Sequence, residues 1–147
     1  MLVSKTSEII EAITQYQPEG DHWLGLERLL ECLWATGEPE KGMDALFGVF
    51  ERFPEHDGYG VFWSILHGLE DLPDYELALI DSLRRQPMEF NVRMVNRILN
   101  TGQNNVGGVN GLMLLNEVLI HPKSTGQARQ RAEEYIKRHQ VLLKGKP

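Results

Sequence analysis

Apolar residues recur at helical spacing through the middle of the chain, from Asp57 to Gly102. The stripes are Val61, Phe62, Ile65, Leu66 and Leu69, then Leu77, Leu79, Ile80 and Leu83, and then Met94, Val95, Ile98 and Leu99. Successive residues of an α-helix are rotated by about 100°, so each stripe covers one side of a helix. The segment therefore predicts three consecutive amphipathic helices, separated by short breaks that contain proline.

The same pattern continues on both sides of this segment and predicts eight helices. They run from Ser4 to Gln17, Asp21 to Thr36, Pro39 to Phe53, Asp57 to Leu72, Asp74 to Gln86, Met88 to Thr101, Leu112 to His121 and Ser124 to Val141. Asp21, Asp57 and Asp74 are predicted N-caps, and Ser124 with Gln127 has the spacing of a capping box. Gly37 is expected to end the second helix with a positive φ angle.

Two stretches are expected to be irregular. The segment Gln103–Gly111, with the sequence QNNVGGVNG, is interpreted as a long, mobile connection. The tail over residues 141–147 is expected to fray or to be disordered. No stretch shows the alternation of period two that marks a half-buried strand, so no strand is predicted.

Pairs of predicted helices repeat along the chain with a nearly constant length. The pairs Asp21–Pro54, Asp57–Pro87 and Met88–Pro122 span 34, 31 and 35 residues. A period of this size is typical of stacked helical repeats. The fold class is therefore predicted to be all-α, a right-handed stack of about eight helices in one domain over residues 1–147, with an irregular helical bundle as the alternative.

Composition places the chain among ordinary globular proteins and points to the cytoplasm. The 147 residues are 41% hydrophobic, and no apolar run approaches the roughly 20 residues of a membrane-spanning helix. The N-terminal residues lack the continuous apolar stretch of a secretory signal. Cys32 is the single cysteine and cannot form an internal disulfide, which fits a reducing compartment.

Charge is distributed unevenly around a net value of −6. Residues 1–83 carry 17 acidic side chains and 4 Lys or Arg, a net charge of −13, whereas residues 84–147 carry 4 acidic side chains and 11 Lys or Arg, a net charge of +7. The acidic part would repel nucleic acid and favours a basic partner. The alternative is that the two parts neutralise each other within one compact domain.

The predicted fourth helix carries the main candidate site. Tyr59, Trp63, His67 and Glu70 are spaced by 4, 4 and 3 residues and form a stripe beside the apolar face. The stripe is either a partner-binding edge with aromatic anchors or a second buried side of the helix. The candidate partner-binding residues are Asp57, Tyr59, Trp63, His67, Glu70, Asp71, Asp74 and Tyr75.

Acidic residues also gather around the turn that follows this helix. The cluster comprises Glu70, Asp71, Asp74, Glu76 and Asp81. The position of Asp74 is explained by its role as an N-cap, and that of Glu76 by the favourable helix dipole. Asp81 can form an ion pair with Arg85, four residues later. Glu70 and Asp71 lie near a helix C-terminus, where the dipole disfavours negative charge, so they are interpreted as a recognition surface or as a solvated corner.

Other groups of residues in the sequence give little support for a metal site or a catalytic site. His67 with Glu70 and Asp71 lacks the second histidine of a typical metal site, so no metal and no cofactor is predicted. Cys32 lies in a leucine-rich helix and is interpreted as packing. No catalytic set is recognisable by spacing, and the chain is predicted not to be an enzyme.

A polar face is predicted on the sixth helix. Arg93, Asn96 and Asn100 are spaced to lie on one side of this helix, opposite its apolar face. They are interpreted as a solvated face, or as hydrogen-bonding partners of a ligand or of a neighbouring element.

The segment Val61–Gly102 resembles small helical immunity proteins of bacterial polymorphic-toxin and contact-dependent growth-inhibition systems. The pieces that carry the resemblance are Phe62-Trp63, His67–Glu70, Tyr75, Ser82–Pro87, Asn96-Arg97 and Leu99-Asn100. It implies a HEAT or armadillo-like α-solenoid and a cytoplasmic inhibitor that covers the active site of the toxic C-terminal domain of a cognate effector. It transfers no list of contact residues.

The acidic part of the chain fits a basic toxin, and a nuclease is the expected kind, with a deaminase or a pore-forming toxin as alternatives. Neither nucleic acid nor a membrane is expected as a partner. The alternative function is a generic helical-repeat adaptor that binds other proteins.

Overall fold

The computed structural model of the protein describes residues 4–144, and side chains as far as residue 141. The helices are α1 (Lys5–Thr14), α2 (Leu24–Ala35), α3 (Met43–Arg52), α4 (Val61–Glu70), α5 (Tyr75–Arg85), α6 (Glu89–Asn100), α7 (Gly111–Ile120) and α8 (Gly126–Lys144). Short 3₁₀ turns, Pro39–Gly42 and Gly58–Gly60, precede α3 and α4. The all-α class is confirmed, and each predicted helix corresponds to one of these eight.

The segment Gln103–Gly111 is not an irregular connection, and the prediction that the chain forms no strand is wrong. Strands β1 (Asn105–Val106) and β2 (Val109–Asn110) pair antiparallel in a small hairpin. Gly107 and Gly108 make its turn with φ angles of +54° and +85°, which glycine adopts without strain. The Glu76 carboxylate accepts a hydrogen bond of 2.7 Å from the Gly107 amide, so the hairpin is fixed to α5.

The predicted caps are only partly correct. The Asp57 carboxylate accepts from the Tyr59 amide at 2.9 Å, but it caps the 3₁₀ turn before α4 and not α4 itself. Asp21 is not an N-cap, because the N-cap position of α2 is occupied by Trp23. Asp74 directly precedes α5 and has a left-handed backbone with a φ angle of +59°.

The start of α8 also differs from the predicted capping box. Thr125, not Ser124, accepts a hydrogen bond from the Ala128 amide, at 3.0 Å. The Ser124 hydroxyl instead donates to the Val118 carbonyl at 2.6 Å. At its other end α8 extends to Lys144, three residues beyond the predicted end, and the remaining part of the expected disordered tail, residues 145–147, lies outside the described residues.

The chain divides into two compact units, Met1–Tyr75 and Glu76–Pro147. In the first unit, α1 packs against α2 and α3, and α4 packs against α2 and α3. Its buried core includes Ile13, Leu26, Leu30, Leu33, Leu46, Phe47, Phe50, Phe62, Ile65, Leu66 and Leu69. This unit contains 15 acidic side chains and 4 Lys or Arg, a net charge of −11.

In the second unit, α6 packs against α7 and α8, and α7 packs against α8. Its buried residues include Leu79, Met88, Phe90, Val92, Met94, Val95, Val106, Leu115, Ala128 and Ala132. The unit contains 6 acidic side chains and 11 Lys or Arg, a net charge of +5. The prediction that residues 1–147 form a single domain stays a prediction.

Within the part of the chain that the structure describes, no helix combines the length and the apolar character needed to cross a membrane.

Candidate functional site

A cluster of aromatic rings supports the end of the first unit where the α1–α2 and α3–α4 loops lie. Trp23 is buried at its centre, with ring centroids 5.2 Å from Phe53, 5.4 Å from Phe62 and 4.8 Å from His56. The Phe53 and Phe62 contacts have the edge-to-face geometry that aromatic pairs favour. The cluster fixes the segment that leads into α4, and with it the position of Tyr59.

Tyr59 is held in an unusual conformation and is directed to solvent. Its φ angle is +48°, in the left-handed region that non-glycine residues rarely adopt, and 66% of the residue is exposed. The backbone is kept there by the Asp57 cap. The negative charge of Asp21 is the main cause of the raised pKa of Tyr59, with Asp57 adding a smaller effect.

Trp63 and His67 continue the exposed line along α4. Trp63 lies in the first turn of α4, four residues after Tyr59, is 37% exposed, and its ring centroid is 5.9 Å from that of His67. The interpretation of this stripe as a second buried side of α4 is therefore wrong for Tyr59, Trp63 and His67. We name these three residues the aromatic stripe.

Glu70, the fourth residue of the line predicted from the sequence, differs from the aromatic stripe. Its carboxylate lies 3.7 Å from the Nδ1 atom of His67, and its side chain is only 19% exposed. Glu70 therefore has a local contact on its own helix, in addition to lying in the acidic cluster of the sequence.

The remaining candidate residues lie at the other end of α4. Asp71 follows the helix and is exposed, as is Asp74, while Tyr75 is half-buried at the start of α5. A ten-residue helix is about 15 Å long, so Asp57 and Tyr59 are separated from Asp71 and Asp74 by the length of α4. The structure thus divides the predicted site into the aromatic stripe and an acidic corner formed by Asp71 and Asp74.

Asp21 and Leu24 of the first unit were not among the predicted site residues. Asp21 was assigned to a cap, and its electrostatic effect on Tyr59 depends on the folded loops, which sequence spacing does not show. Leu24 opens α2 and is 60% exposed. An exposed leucine at the first position of a helix is a sequence signal that could have been noticed, because it falls outside the buried stripe of that helix.

Two other interpretations from the sequence are corrected by the structure. Cys32 is exposed on α2 and does not contribute to packing. The predicted solvated face of α6 is also wrong at Asn96, which is buried and forms a 2.7 Å hydrogen bond with the Nε2 atom of His139 on α8. Arg93 on the same face is half-buried and pairs with Glu89 at 2.7 Å.

The buried His139 gives the second unit a pH dependence. Burial and the neighbouring Arg138 lower the pKa of His139 below its ordinary value of 6.5. A group whose pKa is lower in the folded state contributes stability that is complete above its unfolded pKa and is lost as the pH falls towards its folded pKa. We therefore expect the midpoint of thermal unfolding to fall as the pH is lowered from 7 to below 6.5, as measured by circular dichroism.

The variant His139→Gln is the matched control for this expectation, because glutamine can still donate to Asn96 but does not titrate. Its unfolding midpoint should change less over the same pH range than that of the wild type. An identical pH profile in the two proteins would remove His139 as the cause.

Among the residues that the structure describes, no three His, Cys, Asp or Glu side chains lie close enough together to hold a metal ion.

Comparison of the chain with protein-family models, with curated proteins and with solved structures gives no significant match.

Proposed function

We propose that the protein is an immunity protein, which binds the toxic C-terminal domain of a cognate bacterial effector and covers its active site. The observation that carries the proposal is the aromatic stripe, exposed on a unit with a net charge of −11. The stripe offers anchors, and the surrounding charge selects a basic partner. In this proposal the protein acts by occupation and catalyses no reaction.

Exposed tyrosine and tryptophan side chains are the residues that most often dominate the binding energy of protein interfaces. Tyr59 and Trp63 are also held in place: the backbone of the first by the Asp57 cap, and the second by its position within α4. Anchors that are already ordered lose little conformational entropy when a partner binds. The stripe is therefore suited to tight binding.

The charge of the first unit supports a nuclease as the partner. A surface that binds nucleic acid is basic, and an acidic inhibitor competes for it while electrostatic steering accelerates the encounter. In the stripe region the negative charges of Asp21 and Asp57 act on Tyr59. We place the basic substrate-binding surface of the toxin against these residues.

The helix packing within the first unit supports a HEAT-like arrangement of helix pairs as part of this proposal. The Ser64 hydroxyl of α4 donates to Glu27 of α2 at 3.3 Å, and Gly68, one turn later, faces Trp34, also later in α2. The helices α2 and α4 therefore run side by side in the same direction, as equivalent helices of successive pairs do in stacked repeats. The same architecture favours the second candidate, a helical-repeat adaptor for other proteins.

Replacing both Tyr59 and Trp63 by serine is expected to weaken binding of the toxin domain at least tenfold, or about 1.4 kcal/mol. Both side chains are exposed, so the variant should fold like the wild type. Affinity is measured by calorimetry with the C-terminal domain of the effector encoded beside this gene, and protection is measured as rescue of cells that express this domain.

Ile120→Ser is a control, because Ile120 is an apolar residue of the second unit that is more exposed than Tyr59 and Trp63. Its affinity for the toxin domain should be within a factor of two of the wild type. A third variant, Asp71→Lys with Asp74→Lys, decides whether the acidic corner contributes to binding of the toxin domain. If the wild type neither binds nor protects against the neighbouring effector domain, the immunity function is rejected and the adaptor remains.

A further inference from the structure

A groove of about 380 Å³ runs along the exposed side of α3 in the first unit. Its lining residues are Thr14, Asp44, Ala45, Gly48, Glu51 and Arg52. The volume lies at the lower end of the range of about 300–1,000 Å³ that is usual for small-ligand sites. No residue of the groove belongs to the aromatic stripe or to the acidic corner, so the groove is a separate feature of the acidic unit.

Gly48 keeps the groove open, and the fold itself does not require glycine there. Glycine inside a helix is unfavourable relative to alanine, because it loses more backbone freedom on folding. Gly68 has a packing reason, since a Cβ atom there would lie 2.4 Å from the Trp34 ring. At Gly48, by contrast, no described neighbour lies within 4 Å of the Cβ position, and φ is not positive.

Charge surrounds this open position. Asp44 and Glu51 lie on α3 about 6 Å before and about 4.5 Å after Gly48 along the helix axis, given a rise of about 1.5 Å per residue. Arg52 is the one cationic residue of the described lining, and its guanidinium donates to the Tyr16 carbonyl at 2.8 Å and to the Ile13 carbonyl at 2.9 Å. It is therefore engaged at the C-terminal end of α1.

We propose that the groove binds a long cationic side chain, lysine or arginine, from a partner protein. The methylene groups of such a side chain would lie on Ala45 and Gly48, and its charged end would reach Asp44 or Glu51. Long basic side chains bury their apolar stems in this way while their charged ends stay near carboxylates. This proposal rests on the proposed function only in the identity of the partner protein. Lysine and arginine side chains are present on any basic protein surface.

The test is a titration of the isotope-labelled full chain, followed by amide chemical shifts, with N-acetyl-argininamide, N-acetyl-lysinamide and the uncharged N-acetyl-norleucinamide. The cationic probes should give saturable shifts at residues 14, 45 and 48, and the tighter of the two identifies the charged group. Norleucinamide should bind at least tenfold more weakly. Gly48→Leu, which fills the groove, should weaken the cationic probes at least tenfold, and Asp44→Asn about threefold.

Trp63→Ala is the matched control and should leave the titration unchanged, because Trp63 does not line the groove. Shifts outside the groove only, equal binding of norleucinamide, or unchanged binding by both Gly48→Leu and Asp44→Asn would overturn the proposal. Asp44→Asn keeps the test decisive if Gly48→Leu does not fold. Because the titration contains no toxin domain, a negative result in it leaves the immunity proposal intact. A failure to bind the toxin domain likewise leaves the groove proposal intact.

Discussion

Replacing Phe62 by alanine is expected to lower the free energy of unfolding of the first unit by about 4 kcal/mol. Phe62 is completely buried, and its ring lies 5.4 Å from both Trp23 and Phe50, measured between centroids. The substitution removes the ring and leaves a cavity that rigid neighbours cannot fill. Gly58 also packs directly against this ring, so the 3₁₀ turn before α4 would lose its support.

The loss can be followed in the first unit alone. All three tryptophans, Trp23, Trp34 and Trp63, belong to this unit, so urea unfolding monitored by tryptophan fluorescence reports on it. Tyr59→Ala serves as the control, because this residue is exposed and its loss should change the unfolding free energy by less than about 1 kcal/mol. If Phe62→Ala and Tyr59→Ala prove equally stable, the aromatic cluster does not support the stripe as described.

The sequence predicted the helices well because the information is local. A stripe such as Phe62, Ile65, Leu66 and Leu69 repeats over several turns and specifies both the helix and its buried side. Proline and glycine then mark the breaks, and the φ angle of +78° at Gly37 confirms one predicted ending. The hairpin was missed because two-residue strands are too short to show an alternating pattern, and its glycine turn was interpreted as flexibility.

Contacts between segments that are far apart in the sequence could not be predicted from such local patterns. Asn96 was placed opposite the apolar face of α6, and only the position of α8 shows that His139 covers it. Likewise, the role of Glu76 depends on a glycine amide 31 residues later in the chain. Spacing identifies which residues share a helix face, but the packing of helices decides which faces are covered.

The candidate site contains features that the sequence predicts and features that only the fold shows. The common face of Trp63 and His67 follows from helical spacing alone, and the structure exposes both residues together with Tyr59, which precedes α4. The left-handed backbone of Tyr59 and the effect of the Asp21 charge on it follow from two loops that come together in the fold. Backbone strain at an exposed aromatic residue is costly to maintain, and such residues cluster at binding surfaces, which agrees with the proposed role of the stripe.

Replacing Asn91 by alanine is expected to lower the free energy of unfolding of the second unit by about 3 kcal/mol. Asn91 is fully buried at the start of α6, and its Oδ1 atom accepts from the Met88 amide at 2.8 Å. Its Nδ2 group donates to the Ser82 hydroxyl at 3.1 Å and to the Gln86 carbonyl at 2.9 Å. Alanine would leave two buried polar groups, the Met88 amide and the Ser82 hydroxyl, and the partly buried Gln86 carbonyl without this partner.

Asn100→Ala is the matched control, because Asn100 lies at the exposed end of the same helix and should change stability by less than about 0.5 kcal/mol. The three tryptophans do not report on this unit, so the measurement is amide hydrogen exchange of α5 and α6.

A double-mutant cycle with Ser82→Ala tests the cause of the lost stability. If the buried hydrogen bond between Asn91 and Ser82 carries part of the effect, the double variant should lose less stability than the sum of the single variants. Strict additivity would show that the hydrogen bond to Ser82 contributes nothing to the effect of Asn91.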